Sequence, residues 1–244
     1  MSNQTVWFSS VLRTAEHFYI SIGYPHIDYK RMFILEHKQH NAKVVDSDMV
    51  FTPEEEKELQ ELSLLSKKAW GKSPDLQGMN ILPSKLWTRD VRTPDPALNA
   101  FTITGRYLIL SEQCGELFQQ FNLGNSKLVK LQIYNMGTLE PDNERFFYFL
   151  DIAEWRHYLL PEKSSNACRS IGYQKHGYDA YQYRLYSNEK LTLSDEALNC
   201  DIDLWHDPML WDSLFLSDRL YMELSNANII ADFDFVPCIL DNLI

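Results

Sequence analysis

The chain contains few of the patterns on which common enzyme and membrane classes depend. Only nine of its 244 residues are glycine, and neither G-x-G-x-x-G nor a P-loop occurs, so no phosphate-binding loop is indicated. G-x-S-x-G and the metalloprotease helix motif are also missing. No apolar run approaches the roughly 20 residues of a membrane span, and residues 1–7 lack the basic-then-apolar pattern of a secretory signal. We therefore predict no catalytic residues, no cofactor and no membrane partner.

Cysteine is sparse, and its spacing does not match the usual paired motifs. The four cysteines are far apart and none belongs to a C-x-x-C pair: Cys114, Cys168, Cys200 and Cys238. We favour reduced, mostly buried thiols in a cytoplasmic protein over disulfides or a bound metal.

Basic residues are nearly missing from the C-terminal end of the chain. The net charge is −11, and residues 201–244 contain nine acidic side chains and one basic side chain, Arg219. Nucleic-acid binding needs a basic face, so no nucleic-acid partner is expected. A basic protein partner is favoured instead, because opposite fields speed encounter.

Residues 1–80 form the first predicted region, and its clearest element is an amphipathic helix at about 53–70. Thr52 can cap the first amides, Pro53 suits the first helical position, and Glu55 completes a capping box. Upstream, the apolar runs 6–11, 18–22 and 32–35 indicate short strands.

A repeated segment organises the second predicted region, residues 81–244. Residues 109–123 resemble residues 215–229 when Ser111 is aligned with Ser217. The matched pairs are Leu110 with Leu216, Glu112 with Asp218, Cys114 with Leu220, Phe118 with Leu224 and Leu123 with Ile229. The apolar runs that follow, 129–133 and 235–239, keep the same offset, so each copy predicts a strand, a serine-capped helix and a strand, at about 106–134 and 211–240. We expect an α+β protein with mixed sheets and packed helices.

Several acidic and aromatic residues near the C-terminus are candidates for function. Asp201 and Asp203 flank Ile202, and Asp232 and Asp234 flank Phe233, as on half-exposed strands. Such carboxylates can form a solvated face, a protein-binding face or a Mg²⁺ or Ca²⁺ site. Asp207 follows His206 directly, and neighbours on a strand point to opposite faces, so a catalytic pair is not indicated.

Tyrosines are concentrated between residues 173 and 186. Such side chains are favoured at recognition surfaces but also fill core edges. We favour the core for Tyr181 and Tyr183, whereas both interpretations remain open for Tyr178 and Tyr186.

One family resemblance accompanies the repeat. The proline-containing segment 82–87, the strands that end in Ser111-Glu112 and Ser217-Asp218, and the aromatic strand 146–150 resemble a bacterial immunity-protein family, the immunity-protein-eleven family. The resemblance covers about residues 80–238. It implies a non-enzymatic cytoplasmic protein encoded beside a polymorphic toxin, often one delivered by contact-dependent or type VI secretion. It supplies no defined binding residues.

The leading hypothesis is therefore an immunity protein that binds and neutralises a cognate antibacterial toxin domain with a basic surface. The predicted toxin-binding residues are Asp201, Asp203, Asp207, Asp232, Asp234, Tyr178 and Tyr186. A metal-dependent hydrolase that uses the C-terminal aspartates and a structural adaptor module are the alternatives.

Overall fold

The structure is a computed structural model that describes residues 4–44, 49–70, 82–88, 94–175, 177–185 and 189–241. Its helices are α1 (Val11–Thr14), α2 (Tyr29–Val44), α3 (Pro53–Trp70), α4 (Glu112–Phe118) and α5 (Asp218–Asn226). Its strands are β1 (Val6–Ser9), β2 (His17–Phe18), β3 (Ile20–Gly23), β4 (Lys85–Thr88), β5 (Ala100–Ile103), β6 (Tyr107–Ser111), β7 (Lys127–Leu131), β8 (Ile133–Asn135), β9 (Phe147–Asp151), β10 (Cys168–Lys175), β11 (Tyr178–Tyr183), β12 (Thr192–Ser194), β13 (Leu204–Trp205), β14 (Leu214–Ser217), β15 (Phe235–Pro237) and β16 (Ile239–Asp241). Parallel and antiparallel pairs occur together, so the predicted α+β class is confirmed.

Local signals place the two long helices. Helix α3 has the predicted bounds, and its capping box is formed in both directions. The amide of Thr52 donates to Glu55 Oε2 at 3.0 Å, and the amide of Glu55 donates to Thr52 Oγ1 at 3.2 Å. The strand predicted at 32–35 is wrong, because these residues lie in α2, where Asp28 Oδ1 accepts from the amide of Arg31. No helix within the described ranges has the length and apolar character to span a membrane.

Both copies of the repeat form a strand, a serine-capped helix and a strand, as predicted. In each copy the two strands are not neighbours, since an antiparallel strand from elsewhere lies between them. Strand β9 separates β6 from β7 in a five-stranded sheet of order β2-β5-β6-β9-β7. Strand β1 separates β14 from β15 in a four-stranded sheet of order β13-β14-β1-β15. The N-terminal strand thus completes the second copy as β9 completes the first.

Strand pairing also fixes which residues of the two copies are equivalent. Phe149 of β9 and Phe8 of β1 are equivalent, since each pairs with the matching residue of the strand before the helix. Phe149 pairs with Val129, whereas Phe8 pairs with Val236. The constant offset predicted from the sequence would match Val129 with Phe235, so it is wrong by one residue after the helix. Helix α5 is longer than α4, and a 3₁₀ turn at Ile230–Asp232 follows it.

Sheet pairing crosses the predicted boundary near residue 80. Strand β1 joins the sheet of the second repeat, β2 pairs with β5, and β3 pairs with β4. A three-stranded sheet of order β3-β4-β8 likewise combines segments from both sides of that boundary.

One apolar core joins the two repeats. Phe118 of α4 and Leu224 of α5 belong to the same buried cluster as Leu110 and Leu216 of the two sheets. The other side of the five-stranded sheet packs against the three-stranded sheet, and that of the four-stranded sheet packs against β10–β12. Helices α2 and α3 cover Trp87 beyond the three-stranded sheet. The repeats are therefore two halves of one packed unit.

Candidate functional site in the second repeat

Asp203 is the polar centre of the second repeat. It lies just before β13, and its side chain is 1% exposed. The carboxylate accepts hydrogen bonds from Ser217 Oγ, from Nε of Arg219, and from Nη2 of Arg219 at 2.7 Å. Its Oδ2 also accepts from the amide of Asn122, at 2.8 Å, in the turn after α4. Asp203 thus supports the cap of α5 and ties the two repeats together.

The first repeat contains a neutral version of the same arrangement. Asn99 lies just before β5, and its Oδ1 accepts from Oγ of Ser111, the cap of α4, at 3.3 Å. Backbone bonds match as well: Ser111 donates to the carbonyl of Asn99, and Ser217 donates to that of Asp203. The residue equivalent to Arg219 is Gln113 in the first copy. The Asp203–Arg219 ion pair, in which the carboxylate is buried and the guanidinium is largely exposed, therefore distinguishes the second copy from the first.

Two of the predicted binding aspartates are buried. Asp203 and Asp207 are 0% and 1% exposed, so neither side chain lies on an exposed binding face, and the alternation that predicted such a face is wrong for Asp203. Asp207 Oδ2 accepts from the amides of Tyr158 and Leu159, and Oδ1 accepts from the amide of Met209. Burial raises the pKa of Asp207 against the opposing effect of these amides. Asp207 organises the loop after β13.

Asp201 lies at the surface, where its side chain is 83% exposed. Its carbonyl accepts from the side-chain amide of Asn122, so the structure brings it beside Asp203. Its carboxylate lies 4.0 Å from Nη2 of Arg156, too far for a close ion pair. It borders a surface cleft of about 540 Å³.

We call this cleft the acidic cleft, and its rim is defined by Leu198, Asp201, Asp218 and Arg219. Leu198 is 39% exposed and supplies an apolar edge. Asp218, the first residue of α5, accepts from the indole N–H of Trp7 at 2.9 Å. Because Arg219 is held by Asp203, it does not pair with either rim carboxylate in the described contacts.

Asp232 and Asp234 lie away from the acidic cleft. The strand predicted through them is wrong, because Asp232 ends the 3₁₀ turn and β15 begins at Phe235. Asp232 Oδ2 accepts from the backbone amide of Asn99 at 2.8 Å. This bond joins the segment after α5 to the residue before β5, whereas the Asp203–Asn122 bond joins the residue before β13 to the turn after α4. Asp234 is exposed and left-handed, with φ of 50°.

The tyrosine predictions have separate outcomes. Tyr178 is half-buried, and its ring lies 4.7 Å from the ring of His157. Tyr186 lies outside the described residues. Tyr183 is buried in the core as predicted, and Tyr181 is partly buried against the same cluster.

The cysteines are free thiols, and all but Cys200 are buried. Burial raises the pKa of Cys114 far above its usual range and that of Cys168 to about 11, so both are neutral near pH 7. Among the described residues, no group of three or more His, Cys, Asp or Glu side chains is arranged to hold a metal ion.

Sequence reasoning missed the rim residues Leu198, Asp218 and Arg219. One signal was available, because Arg219 is the single basic residue among nine acidic ones, and an isolated charge of this kind indicates an internal ion pair.

No protein-family model matches the chain, and no curated protein is significantly similar to it.

Proposed function

We propose that the protein binds and neutralises a cognate toxin domain through the acidic cleft. The observation that carries the proposal is the separation of the acidic residues into a buried group, Asp203 and Asp207, and a group at the cleft rim, the exposed Asp201 and the half-buried Asp218. Arg219, the one basic residue of the C-terminal segment, donates hydrogen bonds to Asp203 and is therefore paired within the chain. Asp201 and Asp218 are left to set the charge of the rim.

Charge at this rim would act mainly on the rate of encounter. Exposed ion pairs contribute only about 0–1 kcal/mol each, whereas a complementary field raises association rates strongly at low salt. Affinity would come from apolar contacts, for which Leu198 offers an exposed edge. A toxin that acts on nucleic acids or nucleotides fits this surface, because its active site must attract phosphate and is therefore basic.

The test uses a variant that changes charge and leaves the fold intact. Asp201→Lys combined with Asp218→Asn removes both rim carboxylates, reverses the charge at position 201 and keeps an acceptor for Trp7. The matched control is Glu140→Lys with Glu144→Gln, since both glutamates are exposed and lie in the loop between β8 and β9. Both double variants change the net charge by the same amount.

The assay is co-expression with the toxin domain encoded by the adjacent gene, with growth as the readout and association rates for the purified pair. We expect the cleft variant to lose protection, with a several-fold slower and less salt-dependent association, while the control protects. Full protection by the cleft variant would exclude the acidic cleft. Failure of the wild-type protein to protect against the neighbouring gene product would exclude neutralisation itself.

A further inference from the structure

A second cleft lies where the β5–β6 turn of the first repeat meets the β13–β14 loop of the second. Arg106 and Asp212 are equivalent residues, each five positions before the serine that caps its helix. Both are left-handed, with φ of 61° and 51°. Arg106 Nη1 lies 2.8 Å from Asp212 Oδ2, so equivalent turns are joined by an ion pair. Non-glycine residues rarely adopt this conformation, and such residues cluster at ligand sites.

Cations accumulate at this point of an acidic protein. Lys175 and Arg106 line the cleft with two carboxylates, Asp151 and Asp212. Arg13 and Arg169 add two further positive charges nearby. Arg13 interacts electrostatically with Asp212, Arg106 and Arg169. Burial and these two arginines lower the pKa of Arg13, against the opposing effect of Asp212. Burial lowers the pKa of His206, another lining residue, to about 4, so His206 adds no charge near pH 7.

Aromatic faces stand beside these cations. The ammonium of Lys175 lies 5.6 Å from the ring centroid of Trp211 and 6.0 Å from that of Trp155, within cation–π range. Trp211 is 39% exposed. Its ring packs edge-to-face with that of Tyr173, with the ring centroids 5.7 Å apart, and its backbone amide donates to the carbonyl of Tyr181 at 2.9 Å.

The cleft has a volume of about 290 Å³. That lies at the lower end of ligand pockets in general, which are roughly 300–1,000 Å³. The volume restricts the occupant to a small molecule, while Trp211 offers it a flat apolar surface.

We propose that this cleft binds a small aromatic anion, a planar ring that carries a phosphate or a carboxylate. The ring stacks on Trp211, and the anion lies between Arg106 and Lys175. Arg106 contacts Asp212 through Nη1, so its remaining donors stay available for a second oxygen anion. Lys175 moves from the ring faces to the anion and exposes those faces to the ligand. The site is independent of toxin neutralisation.

The binding test separates the ring from the charge. A nucleoside monophosphate and an aromatic carboxylate carry both features, the matching nucleoside carries only the ring, and inorganic phosphate carries only the charge. We expect saturable binding of at least one ring-bearing anion at one site per chain, with a dissociation constant of about 1 mM or lower. The nucleoside and inorganic phosphate should bind roughly tenfold more weakly or worse. Calorimetry and tryptophan fluorescence report the binding, and which ring-bearing anion binds identifies the acid group.

Variants decide whether the binding occurs in this cleft. Lys175→Gln and Arg106→Gln should each raise the dissociation constant of the ring-bearing anion about tenfold. Lys127→Gln, which removes an exposed cation at the start of β7, should leave it unchanged. The proposal is overturned if no ring-bearing anion saturates the protein, or if either cleft variant binds as tightly as the wild type. If the ion pair only joins the two turns, Arg106→Gln lowers stability while ligand binding stays the same, and the proposal fails.

Discussion

Replacing Asp203 by Asn tests the role assigned to the buried carboxylate. The substitution keeps the shape of the side chain and removes its charge. The internal duplication supplies the comparison, because Asn99 occupies the equivalent place in the first repeat and accepts from Ser111 there. Asn is therefore compatible with the backbone, and any loss must come from the bonding partners of the second copy.

The magnitude follows from the donors that face the side chain. Asp203 accepts from Ser217, twice from Arg219, and from the amide of Asn122. In Asp203→Asn one oxygen becomes an amino group, and either orientation directs it at two donors. Leaving one buried donor unsatisfied costs about 1–3 kcal/mol. The Arg219 side chain is 62% exposed and can be hydrated, so its lost bonds add only about 1 kcal/mol. We expect a total loss of about 2–4 kcal/mol.

The assay is urea unfolding followed by circular dichroism and tryptophan fluorescence. The urea concentration at the unfolding midpoint should fall, and the dependence of the unfolding free energy on urea concentration should stay unchanged, as for a change in stability alone. Arg219→Gln installs the residue of the first copy, Gln113, and should cost about 1–2 kcal/mol by itself. The double variant, Asp203→Asn with Arg219→Gln, installs the two residues that the first repeat has at these positions, Asn99 and Gln113. The double variant should lose about 1 kcal/mol less of the free energy of unfolding than the sum of the losses of the two single variants.

Two results would refute this reasoning. A loss below about 0.5 kcal/mol for Asp203→Asn would show that the carboxylate is not an anchor, because changes of that size are typical of surface positions. Full additivity of the two substitutions would show that Asp203 and Arg219 are not energetically coupled, whatever their distance.

Three further predictions concern other parts of the fold. Gly115→Ala should lower stability by about 1–3 kcal/mol in thermal unfolding, since an added Cβ would lie 2.1 Å from the Tyr148 ring; an unchanged midpoint would contradict this contact. Thr52→Ala should cost about 1 kcal/mol by removing the acceptor for the Glu55 amide, whereas Thr52→Ser should be nearly neutral in the same assay. Burial lowers the pKa of His206 to about 4, so the unfolded chain takes up a proton near pH 6.5 that the folded protein does not bind, and stability is lost as pH falls from about 6.5 to 4, by roughly 2–3 kcal/mol. His206→Gln should reduce that acid dependence in urea unfolding at the two pH values; an equal dependence in variant and wild type would exclude His206 as its source.

Elements specified by neighbouring residues could be predicted from the sequence. The Thr52–Glu55 box begins α3, and the serine caps begin α4 and α5, because each signal lies within three residues of its partner. The continuous apolar run of β9 likewise indicates a strand buried on both faces.

The central strands and the buried aspartates could not be predicted in this way. Nothing local shows that β1 lies between β14 and β15, since the pairing joins the two ends of the chain. Asp203 has the same alternating context as an exposed strand residue, yet its partner Asn122 is 81 positions away. A period-two pattern assumes a strand with one solvated face, and residues 201–203 precede the short strand β13. Burial there is decided by the other repeat.

The opposite charges of Arg106 and Asp212 distinguish a duplicated chain from a symmetric dimer. A residue on a two-fold axis faces its own copy, so a dimer of identical repeats would place two like charges or two neutral groups at this point. Two like charges at 2.8 Å would repel, whereas Arg106 and Asp212 attract at that distance. The equivalent positions Asn99 and Asp203 also differ in charge, since one copy has an amide and the other a carboxylate. Joining the repeats in one chain therefore permits the asymmetry from which both proposed clefts are built, since equivalent positions can diverge without changing the backbone that they share.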